Sequence, residues 1–347
     1  MSSTRNEPVG PGLPTTSPST RAGAPPAWLG FYRRHSSQVL VVVSELVLIL
    51  AFSFASPYFF QLANFSALLL DASVYVLLAL GLTFVIATGG IDLTPGFGIA
   101  FTGVCLAVVM TWAGDHGLPT WAVIALGALA GVVAGAALGA ANGIAVAYLN
   151  MQPMIATLAM MLVAWGLALV ISGTSAIPLS QFGAFLELGQ GNTWGITNAV
   201  FLFVAAALVA AFLLNRTLIG RYALAMGSNE EAARLSGVNV DAWKFRVYVL
   251  GGIFTGLAGI LMASRLASGK PDVGQSYEMY AIAAAVLGGA SLRGGKASVF
   301  GSVVGAILIA TIRNGAVLMH IPDQWQKVLL GVIVLAAVYL DTRRREH

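Results

Sequence analysis

Apolar residues fill ten runs of the chain, near 37–56, 66–88, 93–113, 119–148, 154–173, 196–214, 245–267, 277–292, 297–319 and 325–341. A run of about 20 apolar residues is the length of a helix that crosses a hydrocarbon core of about 30 Å. A membrane barrel would alternate over shorter segments instead. The pattern predicts an all-α, polytopic helical membrane protein with about ten transmembrane helices. The 119–148 run is too long for one untilted helix, so a tilt or a break is expected there. The 93–113 and 277–292 runs fit the template least well.

One polar stretch interrupts this pattern. Residues 227–240 read GSNEEAARLSGVNV. Ser228 and Glu231 have the S-x-x-E spacing of a capping box, in which the serine bonds the N3 amide and the glutamate reaches back. Glu230 and Glu231 fall at the positive end of the helix dipole. Glu230 and Arg234 form an i,i+4 pair, and Gly237 is placed to end the helix in a left-handed conformation. The spacing predicts a two-turn helix over about 229–236, too short to be stable alone in water. It must rest on the membrane surface or dock into a partner's groove, for which Ala232, Ala233 and Leu235 offer a small apolar knob.

Composition agrees with the pattern. The chain is 58% hydrophobic and 9% charged, against roughly 25% charged in a soluble domain, so it needs lipid as part of its solvent. Cys105, the single cysteine, excludes a disulfide framework and a metal-binding cysteine pair. Residues 1–27 are rich in Ser, Thr, Pro, Gly and Ala and have no apolar core. They are expected to be a disordered tail and not a cleavable signal.

Charge placement predicts topology. Arg33, Arg34 and His35 precede the first run, and no Lys or Arg follows until Arg216. Others cluster at Arg221, Arg234, Lys244 and Arg246, at Arg293 and Lys296, and at Arg343, Arg344 and Arg345. Basic residues near span ends stay in the cytoplasm. Both termini and the 215–244 loop are therefore assigned there, with six crossings before that loop and four after it. The expected organisation is a cytoplasmic tail over 1–35, a membrane domain over 36–341 and a basic tail over 342–347. The outer loops carry Asp115, Glu187 and Asp323, and none is long enough for a receptor domain. The longest, 174–195, has room for a short interfacial helix.

Several segments inside the apolar runs break helical pattern. In ATGGIDLTPGFG, residues 87–98, Gly89, Gly90, Pro95, Gly96 and Gly98 all disfavour a continuous helix. Irregular backbone at membrane depth survives only if it is buried in protein or lines a cavity. Asp92 is ionisable there, which marks it as a functional candidate, although an N-cap for a helix starting near Leu93 is the simpler role. LGGASLRGG at 287–295 echoes TGGIDLTPG at 88–96, as internal repeats in transporters do. NMQPMIATLAM, residues 150–160, places Pro153 to start a helix after Gln152. Asn142, Gln152, Asn64 and Asn314 are neutral amides, suited to hydroxyl-rich solutes and equally to bridging helices. Glu278 and Arg313 fall inside spans, where Arg313 either snorkels or pairs with a carboxylate. Gly127, Gly131, Gly135, Gly139 and Gly143 form one smooth stripe, expected to let helix backbones pack closely.

The chain has no G-x-x-x-x-G-K-[ST] phosphate loop, no H-E-x-x-H and no C-x-x-C, and its four histidines form no metal-binding pattern. No catalytic residue and no metal are expected. Transport is the function expected, with energy from a partner or an ion gradient.

Glu231-Ala232-Ala233 followed by Gly237 resembles the EAA signature of importer permeases in the ATP-binding cassette superfamily. ATGGIDLTPG, NGIAVAYLNMQPMIATLAMM, GRYALAMGSNEEAARLSGVNV and AVLGGASLRGGKASVFGSVVGA resemble the ribose/xylose/arabinose/galactoside group of these permeases, over about 38–341. Thr94-Pro95 follows GGIDL where many members have Ser-Val. The resemblance implies that the polar helix is a coupling helix inserted into a cleft of an ATPase subunit, with Ser228, Asn229, Glu230, Glu231, Ala232, Ala233, Arg234 and Gly237 as coupling residues. It implies a multi-pass protein of the bacterial inner membrane that carries a pentose or hexose delivered by an extracytoplasmic sugar-binding protein. A second permease subunit, identical or paralogous, completes the path. ATP and magnesium belong to the ATPase partner, so no cofactor is expected in this chain, and no nucleic-acid partner. Pathway and gating candidates are Gly89, Gly90, Asp92, Asn142, Gln152, Pro153, Glu278 and Asn314. The alternatives are a branched-chain amino acid permease of the same superfamily and an ion-coupled secondary transporter.

Overall fold

The computed structural model describes residues 27–343. Their helices are α1 (Ala27–Ala55), α2 (Leu62–Ala87), α3 (Pro95–Asp115), α4 (Thr120–Gly143), α5 (Pro153–Ser172), α6 (Gly183–Gln190), α7 (Asn198–Arg216), α8 (Leu218–Ser228), α9 (Glu230–Leu235), α10 (Val240–Leu266), α11 (Tyr277–Leu287), α12 (Val299–Leu318) and α13 (Asp323–Arg343). The short strands are β1 (Ile177–Pro178), β2 (Asn192–Thr193), β3 (Ile196–Thr197) and β4 (Ser268–Gly269). β1 pairs antiparallel with β4, and β2 with β3. Of the expected tail over 1–35, residues 1–26 lie outside the described residues, as does most of the basic tail over 342–347, while 27–35 are helical as the start of α1.

Among the described residues, eight helices are long and apolar enough to cross a membrane: α1 from Gln38, α2, α3, α4 with its continuation to Tyr148, α5, α7, α10 and α12. The run at 277–292 is not a full crossing. Its helix α11 has 11 residues, about 16 Å at 1.5 Å per residue and half the hydrocarbon thickness. The chain approaches it as an irregular segment through residues 270–276, so this span is broken. The last run lies in α13, which has the length, 21 residues, but opens on the polar sequence Asp-Gln-Trp-Gln-Lys. The long 119–148 run ends in a π-helical turn over Ile144–Tyr148, the break its length predicts.

α2 and α10 are the heart of the bundle: 83% and 78% of their most apolar windows are buried, against 22% for α5 and 28% for α7. The glycine stripe of α4 explains how α10 gets so close. A β-carbon on Gly135 would lie 2.8 Å from Gly256 N, and one on Gly256 would lie 2.7 Å from Gly131 O. Gly139 meets Tyr248 and Val249, and Gly143 meets Phe245. Two helices without side chains at the contact gain dispersion along their whole length, which is what holds helices together where lipid removes the hydrophobic drive. Gly127, at the other end of the stripe, faces Met110 of α3.

Two helices end alike. After α2, Gly89 stands at φ +82°, with its N–H on Ile86 O at 2.9 Å and the Gly90 N–H on Val85 O at 3.2 Å. After α11, Gly289 stands at φ +97°, with its N–H on Val286 O and the Ala290 N–H on Ala285 O, both at 2.9 Å. Both are the Schellman arrangement, which needs a residue tolerant of the left-handed region. The structural equivalent of Gly89 is therefore Gly289 and not Gly288, one residue away from the match of 88–96 with 287–295. The following helices begin at Pro95 and Val299, so the second loop is the longer.

Candidate functional site

α9 forms where the polar stretch predicts it, but with a different cap. Asn229 is the N-cap, and its Oδ1 accepts from Ala232 N–H at 2.9 Å. Ser228 is the last residue of α8, and its hydroxyl donates to Leu224 O at 2.9 Å. The S-x-x-E capping box is thus replaced by an asparagine cap one residue later, because α8 keeps Ser228 helical and an N-cap must leave the helical region. Glu230 and Glu231 lie in the first turn, and Arg234 in the last. Gly237, at φ +84°, closes the helix with its N–H on Arg234 O at 3.0 Å, while Val238 N–H reaches Ala233 O at 3.1 Å.

The two faces of α9 differ. Ala233 turns inward onto Met226 and Val240, with Val238 and Trp243 packed around them. The apolar knob therefore excludes Ala233: Ala232 is exposed, and Leu235 is 84% exposed. Glu230 binds Lys244 at 2.7 Å and Arg234 at 3.5 Å, and Arg234 binds Asp241 at 3.2 Å. Asp241 holds the Arg234 guanidinium above its ordinary value, so its charge is constant in any physiological medium. Exposed pairs of this kind add little stability; they orient α9 on α10. Glu231 makes no such pair and faces outward with Leu235.

At the root of α9 three backbones meet. The Gly295 N–H donates to Ala87 O, the last residue of α2, at 3.0 Å. A β-carbon on Gly294 would lie 2.7 Å from Gly227 Cα and 2.8 Å from Gly89 N. One on Gly295 would lie 3.0 Å from Ser228 Cα. The end of α8, the loop after α2 and the loop after α11 are thus in direct backbone contact. Gly89 sits in this junction, while Gly90 faces the Tyr248 hydroxyl beside it.

Asp92 and Asn142 come together behind the junction. Asp92 is 3% exposed. Its Oδ1 accepts from Thr94 N–H at 2.9 Å and from Asn142 Nδ2 at 3.3 Å. Asn142 Nδ2 also donates to Thr94 Oγ1 at 2.6 Å, Thr94 Oγ1 to Thr157 O at 3.2 Å, and Thr157 Oγ1 to Pro153 O at 2.9 Å. Asp92 does not cap a helix at Leu93. α3 starts at Pro95 with Thr94 as N-cap; Asp92 folds its own loop and ties it to α4, and Thr94 and Ile91 tie the loop to Thr157 of α5. Gln152 is exposed at the start of α5 and makes no side-chain cap bond. Glu278 is buried in the first turn of α11, where a β-carbon on Gly96 of α3 would lie 2.9 Å from its Cδ. Asn314 is far from all of these in contact terms. It exchanges two amide bonds with Asn64 at 3.0 and 2.8 Å, the helix-bridging role of such groups.

The opposite end of α10 carries a polar group that the sequence pattern does not single out. Asp71 of α2 binds Arg265 of α10 at 2.5 Å. Arg313 of α12 donates to the Tyr75 hydroxyl, and so pairs with a phenol and not a carboxylate. Its guanidinium stands 5.8 Å from the centre of the Tyr280 ring. Tyr75, Tyr277 and Tyr280 form a triangle with ring centres 5.1 to 5.9 Å apart. An aspartate inside an apolar run and an arginine at the end of another are the signals that mark Asp71 and Arg265; the tyrosines carry none, since aromatic residues are ordinary core.

A bundle of long apolar helices with one short water-facing helix has the build of a multi-pass membrane protein. The chain belongs to the family described as "Branched-chain amino acid transport system / permease component", whose profile matches residues 64–338. It is 38% identical to the Ribose import permease protein RbsC of Escherichia coli (strain K12) over 310 residues, covering 88% of this chain and 93% of that protein. It is 36% identical to the L-arabinose ABC transporter permease protein AraH of Azospirillum brasilense over 334 residues, 96% of each chain. It is 39% identical to RbsC of Bacillus subtilis (strain 168) over 301 residues, 86% and 90% of the two. No solved structure was found to match it. Family and helices together make it a multi-pass protein of a bacterial inner membrane.

Proposed function

We propose that this chain forms the transmembrane path of a monosaccharide importer driven by separate ATPase subunits of the ATP-binding cassette superfamily. The observation that carries the reading is α9: a capped helix in water, fastened to α8 and α10 on one face and presenting Glu231, Ala232 and Leu235 on the other. Its root touches the loops that follow α2 and α11, so a push on α9 reaches both broken regions through backbone alone. Coupling is assigned to Asn229, Glu230, Glu231, Ala232, Arg234 and Gly237, with Ser228 and Ala233 holding the helix in place. The side of the membrane that bears α9 is the cytoplasm, where the ATPases bind ATP and magnesium. This chain needs no cofactor of its own.

Sugar is favoured over amino acid because the relatives named for a substrate are ribose and arabinose permeases, whatever the family's general description. The second permease subunit is a copy or paralogue, and a binding protein supplies the sugar. The reading is tested by co-expressing the chain with the ATPase and binding protein encoded beside it and measuring uptake of labelled ribose, L-arabinose and leucine. ATP-dependent uptake of a sugar is expected. Gradient-driven uptake without ATPase, or uptake of leucine alone, overturns it.

A further inference from the structure

At the end of the bundle opposite α9 lies a cavity of about 300 Å³, the lower end of the roughly 300–1,000 Å³ of small-molecule sites. α10, 27 residues and about 40 Å long, separates the two: Val240 packs under α9, and Leu266 lines the cavity. The rim carries two exposed ion pairs, Lys270–Asp272 at 3.6 Å and Lys327–Asp323 at 3.0 Å. The inner wall is Gln275, Ser276, Tyr277, Tyr280 and Arg313. Beneath it Tyr75, 1% exposed, closes the way with its hydroxyl bonded to Arg313.

The cavity is built on the broken span. Residues 270–276 run without helix beside α3, so that Gly274 packs on Gly96 and Ile99, and α11 then completes the crossing. Irregular backbone at depth is stable only where protein covers it or a cavity solvates it, and broken helices are where transporters place their sites. The chemistry is selective. Two tyrosine rings offer faces for the C–H side of a sugar ring. A guanidinium with five N–H donors, one of them on Tyr75, offers a planar fork for hydroxyls. The two carboxylates on the cavity, Asp272 and Asp323, are each paired with a lysine at the rim, and Asp71 nearby is held by Arg265.

We propose that this cavity is the sugar-binding site at which a monosaccharide enters the path, with the ring on Tyr277 and Tyr280 and its hydroxyls on Arg313 and Gln275. The Tyr75–Arg313 bond is its closed floor, and a sugar hydroxyl that takes Arg313 from Tyr75 loosens that floor. The proposal rests on the importer reading above and adds to it the residues that recognise the sugar.

The test uses the full complex in cells, with labelled ribose and L-arabinose as probes, and compares rates at equal amounts of assembled complex. Tyr280→Ala and Arg313→Gln are expected to cut uptake about tenfold or more, as lost contacts to a charged donor do. Tyr277→Leu removes one stacking ring and Gln275→Ala one hydroxyl partner at the cavity wall. They are expected to shift the ribose-to-arabinose rate ratio by about threefold, which a merely structural defect would leave constant. Wild-type rates and an unchanged ratio in these two variants, in a complex that imports a sugar, overturn the site and leave the importer reading standing. A wild-type complex whose uptake needs no ATPase, or that imports leucine alone, overturns both.

Discussion

Glycine brings backbones together at two places in this molecule, and the two contacts are unlike. Along α4 and α10 the contact runs from Gly131 to Gly143 on one helix and from Phe245 to Ile260 on the other. Each helix is continuous there, and no part of the seam opens without the rest. At the root of α9 the contact is one residue deep: Gly227 against Gly294, Gly294 against Gly89, and one hydrogen bond from Gly295 to Ala87. Helix ends and loops meet there, and Gly89, Gly294 and Gly295 of the two loops take left-handed conformations. A long seam makes a rigid platform, whereas a short junction between helix ends passes a displacement onward. In this protein the same residue type serves both because what matters is whether its neighbours are mid-helix or terminal.

The comparison is broken most severely on the seam. Gly135→Leu places a side chain where even a β-carbon meets Gly256 backbone, and overpacking of that kind costs about 3 kcal/mol. Loss of monodisperse protein on size-exclusion chromatography is expected, and a variant of wild-type yield and thermal stability would show the seam to be adaptable. Next comes the partner surface: Glu231→Lys reverses the one unpaired charge on the outer face of α9 and is expected to reduce ATPase copurification about tenfold or more, with the chain still inserted. Undiminished copurification removes α9 from the docking role.

Gly227→Val separates transmission from docking. Its side chain would press on Gly294, so the ATPase should still copurify while sugar uptake falls about tenfold; equal loss of both would make the junction structural. The smallest effect sharpens the cap. Asn229→Ala is expected to lower α9 stability by about 1 kcal/mol, read as faster amide exchange at Ala232 and Ala233. Ser228→Ala, whose hydroxyl only reaches back to Leu224, should change exchange there by less than about 0.5 kcal/mol. The opposite ranking would restore the capping box.

Much of this was legible as sequence. Run length marks ten segments, since nothing but lipid rewards 20 apolar residues in a row, and eight of them are helices long and apolar enough to cross among the described residues. Gly237 marks the end of α9, because a Schellman cap is a local event. The cap at its start was misread by one residue: Ser228 and Asn229 are both good caps, and the choice falls to whichever residue α8 leaves outside its last turn. The run at 277–292 has the hydropathy of a crossing because hydropathy counts side chains and not the path of the backbone, and its helix stops at Leu287 after 11 residues. Asp92 and Asn142 were marked as separate polar residues, 50 positions apart, and their hydrogen bond at 3.3 Å exists only because α4 lies beside the loop after α2.

The class of protein, the apolar segments, the water-facing helix and its closing glycine are all readable along the chain, because each follows from the solvent a segment needs or from bonds within one turn. Packing brings Gly89, Gly227 and Gly294 to one junction, bridges Asn314 to Asn64, and sets Tyr277, Tyr280 and Arg313 around one cavity with Tyr75 beside them. Those residues come from segments up to 250 positions apart, and no local rule of spacing reaches that far. Helix packing does, through the side chains that glycine leaves out.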